Sequence, residues 1–164
     1  MKRMFFGMFI LAVALVATSG VSYAQTAPSA ELDKNMALMR KDLRSGKKQL
    51  IAANVPLTDV EATKFWPIYD QYAGEMSKQY DQLLVVIKEY AANQMTLTDA
   101  QAMSLVKKSG DIQAGMQQVR QKYVPLVEKA IPGKKAALFF QIDRRLHMLM
   151  DLQIASEVPL VIQP

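Results

Sequence analysis

Leu57-Thr58-Asp59-Val60-Glu61 and Leu97-Thr98-Asp99-Ala100-Gln101 are two copies of one local device. In each, the threonine hydroxyl can accept from the free backbone amide three residues on. The Glu61 or Gln101 side chain can reach back to the threonine's own amide, closing a reciprocal capping box. Asp59 and Asp99 add negative charge where the helix dipole favours it. Leu57 and Leu97 stand just before the cap, where a leucine can staple onto the first turn or pack deeper. Both pentapeptides therefore read as helix starts, and an apolar stripe at helical spacing follows each.

After Thr58 that stripe runs Phe65, Tyr69, Tyr72, Met76, Tyr80, Leu83, Ile87 and Tyr90. Residues 58–93 thus read as one helix of about 54 Å at 1.5 Å per residue, with a kink expected at Pro67. After Thr98 come Met103, Val106, Ile112, Met116, Val119, Tyr123 and Leu126-Val127, with Pro125 marking a kink or an early end. Upstream, Leu32, Met36, Met39, Leu43 and Leu50-Ile51 recur near helical spacing. They make residues 31–53 a first amphipathic helix, closed by Asn54-Val55-Pro56 because a residue before proline is pushed out of helical geometry. Ile131-Pro132-Gly133 is a clear break. From Lys134 a fourth helix carries Leu138, Phe139, Ile142, Leu146, Leu149 and Leu152 to about Ser156, followed by an extended Val158-Pro159-Leu160-Val161-Ile162. Four helices with short connections define an all-α protein. The long, kinked second helix favours an open, curved layer of helices that needs a second copy over a compact bundle of equal lengths.

The first 24 residues have another character. Lys2 and Arg3 precede an apolar core from Met4 to Ala17, and Ser22 and Ala24 supply the small residues of a cleavage site ahead of Gln25. This is the order of a secretory signal. The core is shorter than the roughly 20 residues of a membrane span, which disfavours the alternative of an uncleaved anchor. Residues 1–24 are therefore expected to be a signal peptide and residues 25–164 a single exported domain. The periplasm of a two-membrane bacterium is the natural destination, and no stable membrane span is expected after cleavage.

Composition narrows the function. The 164 residues hold 20 Lys+Arg against 15 Asp+Glu, a net charge of +5 that becomes milder still without Lys2 and Arg3. A nucleic-acid partner would want a concentrated basic face, so none is expected. There is no cysteine and one histidine, His147. Disulfides, cysteine-based metal centres and multi-histidine sites within one chain are excluded. No metal, cofactor or catalytic residue is assigned. His147, beside Arg144 and Arg145, reads as a polar residue on a helix face, and Asp70 and Glu75 diverge around their helix.

The doubled Leu-Thr-x-x-Glu/Gln motif resembles the Spy/CpxP family of exported helical proteins, whose Leu-Thr-x-x-Gln signature also occurs twice. The second copy matches it and the first departs by Glu61 for Gln. The signal, the size and the helical pattern are similar too, whereas Phe65-Trp66-Pro67-Ile68-Tyr69 and the run from Pro132 to Phe140 mark a divergent branch. The resemblance implies a cradle-shaped homodimer, acting as an ATP-independent chaperone for partly unfolded clients and linked to envelope stress. A structural or regulatory adaptor for one specific envelope protein is the alternative.

A client-holding surface needs exposed apolar groups, and methionine adapts well to varied shapes. Met36 and Met39, with the basic residues Arg40, Arg44, Lys47 and Lys48, are the candidate client-binding set; Lys41 lies to one side. The competing reading makes the methionines core residues and the basic run a solvated helix face. Trp66 and the tyrosines at 69, 72, 80 and 90 read as core or as a dimer interface.

Overall fold

A computed structural model describes residues 46–161. The expected signal peptide, the expected start of the first helix and the candidate residues Met36, Met39, Arg40 and Arg44 lie outside the described residues. Within them the chain forms four helices: α1 (residues 46–54), α2 (Asp59–Asn93), α3 (Asp99–Ala130) and α4 (Gly133–Glu157). There is no strand among the described residues. None of these helices is long and apolar enough to cross a membrane.

Both capping boxes form. Glu61 N–H donates to Thr58 Oγ1 at 3.3 Å, and Thr58 N–H donates to Glu61 Oε2 at 2.8 Å. Gln101 N–H and Thr98 N–H repeat the exchange at 3.3 and 2.9 Å. Leu57 packs against the core rather than remaining a surface staple. α2 continues through Pro67, and α3 continues through Pro125 to Ala130, so the second proline does not end its helix. Both prolines are exposed, where water can satisfy the carbonyls that lose their donors. α3 ends where Ile131 turns extended and buries its side chain. Pro132 then accepts from the amides of Lys135 and Ala136 at 2.8 and 2.9 Å, starting α4 without a side-chain cap.

Ion pairs fix the directions. Glu75 meets Lys122 and Glu89 meets Lys108, so α2 and α3 run antiparallel as a hairpin. Tyr72 meets Asp143 and Tyr80 meets Asp151, both 71 residues apart, so α4 runs parallel to α2. No Cα of α4 comes within 8 Å of one in α2. Long side chains bridge that gap, as expected for helices lying diagonally across a bundle.

The core lies where the helices converge. Ile51 of α1 and Val55 just after it, Phe65, Tyr69, Tyr72 and Met76 of α2, Ile112, Met116, Val119, Tyr123 and Val127 of α3, and Ala136 and Phe139 of α4 belong to one buried cluster. Phe139 is its hub, with ring centroids 5.1 Å from Phe65, 6.1 Å from Tyr69 and 6.0 Å from Tyr72, all edge-on. Such pairs add to plain area burial. The aromatic run of α2 is thus largely core.

Candidate functional site

α4 turns an unexpected face inward. Its buried residues are Ala136, Phe139, Asp143 and His147, spaced by three and four, as one helix face requires. Of the stripe expected from the sequence, through Leu138, Phe139, Ile142, Leu146, Leu149 and Leu152, Phe139 lies on that face, whereas the C-terminal members Leu149 and Leu152 lie off it. Leu138 and Ile142 flank the core half-buried. Leu149 and Leu152 are 63% and 68% exposed, and neighbouring Met148 is 59% exposed.

The reason is a polar layer contributed by all four helices. Asp143 has no exposed surface. Its Oδ1 lies 2.7 Å from the Lys47 ammonium of α1. Its Oδ2 accepts from the Tyr72 hydroxyl of α2 at 2.5 Å. Arg120 Nε of α3 stands 3.9 Å from the same oxygen, close enough for attraction but beyond hydrogen-bond reach, while its Nη1 donates to Gln117 at 3.1 Å. One turn along α4, His147 places both ring nitrogens 3.3 Å from Lys47 Nζ. The Tyr80 ring meets the imidazole edge-on at 5.6 Å.

Burial and charge set the protonation states. Burial pushes the Lys47 ammonium below its usual range, and the Asp143 carboxylate pulls it back up. His147 is held down to about 4, first by burial and then by the Lys47 charge, which leaves the ring neutral near pH 7. Burial and the adjacent Asp143 raise the Tyr72 phenol. Among the described residues, Lys47 and Arg120 gather around the one carboxyl group of Asp143. Buried charges survive only when paired, and this arrangement supplies the pairing internally.

One reading from the sequence is corrected here. Lys47 is not part of an exposed client surface: its side chain is 11% exposed and its ammonium is committed to Asp143. His147 is a polar residue on a helix face, and that face is the buried one, leaving it only 4% exposed. Lys48 does face outward, pairing with Asp70 at 2.7 Å and lying over the Trp66 ring at 5.2 Å. The methionines divide: Met76 and Met116 are core, whereas Met95, Met103 and Met148 are exposed. Among the described residues no three His, Asp or Glu side chains are grouped to hold a metal ion.

The spacing of Asp143 and His147 from Ala136 and Phe139 was the available signal for the buried layer. It carries weight only once Lys47, Tyr72 and Arg120 are known to converge there, and three other helices supply them. A scan against protein-family models, a search of curated proteins and a search of solved structures found no match to this chain.

Proposed function

We propose that this chain is an exported, nucleotide-independent binding protein that holds partly unfolded protein clients on exposed apolar helix surface, as part of an envelope-stress response in the periplasm. It acts by binding rather than catalysis. The observation that carries the reading is the outer face of α4. Met148, Leu149 and Leu152 lie side by side there, each more than half exposed, on a helix whose inner face is already satisfied by Asp143 and His147. Contiguous exposed apolar groups of this kind mark binding surfaces, and the nearby Arg144 and Arg145 supply charge that keeps such a face soluble. Exposed Met95 and Met103 extend the same chemistry to the end of the α2–α3 hairpin. The titratable cluster around Asp143 is closed to solvent and paired internally, which favours a structural role for it. A cradle-shaped homodimer belongs to the same proposal, with clients meeting apolar surface inside it.

An aggregation assay without ATP, using several unrelated denatured proteins, tests this. Protection of most of them is expected, and Leu149→Ser combined with Leu152→Ser should remove most of it while leaving the helical circular-dichroism signal unchanged. No protection by the parent protein, together with stable capture of one envelope protein, would overturn the chaperone reading in favour of a specific adaptor.

A further inference from the structure

The polar layer joins α1 to α4 through one side chain. Lys47 reaches Asp143 at 2.7 Å and His147 at 3.3 Å, on successive turns of α4. Below this junction α1 is held by Ile51 and Val55, which are 0% and 1% exposed. The hairpin of α2 and α3 is instead the most closely packed pair among α2, α3 and α4, with ion pairs along its length at Glu75–Lys122 and Glu89–Lys108. The two contacts thus differ in kind. One depends on buried charge, the other on extended helix packing.

Among the described residues, the groups that act on His147 are Lys47 from α1, Tyr80 from α2, Arg120 from α3, and Asp143 from α4 itself. Near neutrality the imidazole is neutral and one ring nitrogen can accept from the Lys47 ammonium. A proton on the ring removes that acceptor. It also sets a second cation 3.3 Å from the first, with Arg120 close by and Asp143 as the carboxylate partner of Lys47. The proton therefore leaves α1 facing repulsion at its point of attachment to α4.

We propose that the Lys47–Asp143–His147 junction is an acid-released latch: it holds α1 to α4 near neutral pH and lets α1 separate when His147 takes up a proton, with α3 still folded onto α2. Separation uncovers Ile51 and Val55 and the apolar cluster they pack in, so acidification exposes binding surface without global unfolding. The sign follows from proton uptake. The histidine titrates at about 4 in the closed state against 6.5 when freed. Between those values the opened state binds more protons, so opening gains about tenfold per pH unit as pH falls. Above 6.5 both states hold a neutral ring, and His147 adds no further pH dependence. The latch does not depend on the client-binding reading.

Hydrogen exchange on the full chain between pH 7 and 4, with rates corrected for the intrinsic effect of pH, tests the proposal. Amides of residues 50–54 are expected to lose protection about tenfold per pH unit below about 6.5, while amides of residues 112–127 keep theirs. In His147→Gln, which has no proton to gain, the α1 slope should flatten. Loss of protection in α1 and α3 together, or an unchanged slope in His147→Gln, would overturn the latch. Should His147→Gln not fold at pH 7, the order of opening in the parent protein decides: α1 first supports the latch, and simultaneous opening contradicts it.

Discussion

α2 and α4 run parallel through the same core, yet they divide their residues in opposite ways. α2 buries what its sequence marks as apolar: Phe65, Tyr69, Tyr72, Met76 and Ile87 all turn inward. α4 buries Asp143 and His147 and leaves Met148, Leu149 and Leu152 outside. Hydrophobicity decides the rotation of the first helix. In the second, the partners waiting on other helices decide it. Lys47 and Arg120 each bring a positive charge into the interior, and one carboxylate facing them stabilises the arrangement more than another leucine would. A buried ion pair is often no better than well-packed apolar groups, but removing one member is costly, and its best-attested use is to fix register. That matches a helix whose backbone does not come close to α2 and which therefore depends on long side chains for its alignment.

The comparison can be broken most strongly at Asp143. Asp143→Ala leaves Lys47 and Arg120 facing each other without a counter-charge and frees the Tyr72 hydroxyl. The expected loss is about 3–5 kcal/mol, the cost of orphaning a buried charge, read from the urea midpoint. A loss under about 1 kcal/mol would mean the layer is hydrated and Asp143 replaceable by water. The caps sharpen the contrast on a smaller scale. Thr98→Ala removes the acceptor for Gln101 N–H and should cost about 1 kcal/mol, because the hairpin depends on regular helix starts as well as on its core. An unchanged midpoint would place the start of α3 elsewhere.

The two capping boxes explain why so much of the fold was legible. Thr58 with Glu61, and Thr98 with Gln101, are local signals, complete within five residues, and the structure forms both. Ile131-Pro132-Gly133 marked the α3–α4 break for the same reason. The end of α3 was less clear, because an exposed Pro125 weakens a helix without stopping it. The phase of α4 was legible only in part: Phe139, in the expected stripe, is fully buried, but the residues that continue its face are not apolar. Asp143 and His147 are polar, so a hydrophobic count assigns them to solvent, and the partner that reverses this, Tyr72, lies 71 residues away in the chain. The same long-range arrangement moved Lys47 from a basic surface into the interior. Lys48, its neighbour on α1, stayed outside with Asp70 and Trp66, so adjacent lysines in one charged run have unlike fates.

Absence of cysteine makes the rotation of α4 directly measurable, since one introduced thiol has no competitor. Leu152 is 68% exposed and Ala136 is 6% exposed on the same helix. Thiol labelling of Leu152→Cys and Ala136→Cys under native conditions is therefore the most direct test of the claim that α4 turns the face of Ala136, Phe139, Asp143 and His147 inward and leaves Leu149 and Leu152 outside. Labelling at position 152 should approach the rate of an unfolded peptide, while position 136 should be slower by a factor of 100 or more, about 3 kcal/mol of protection by the core. Rapid labelling at 136 with protection at 152 would contradict it, and would put the leucine stripe back in the core.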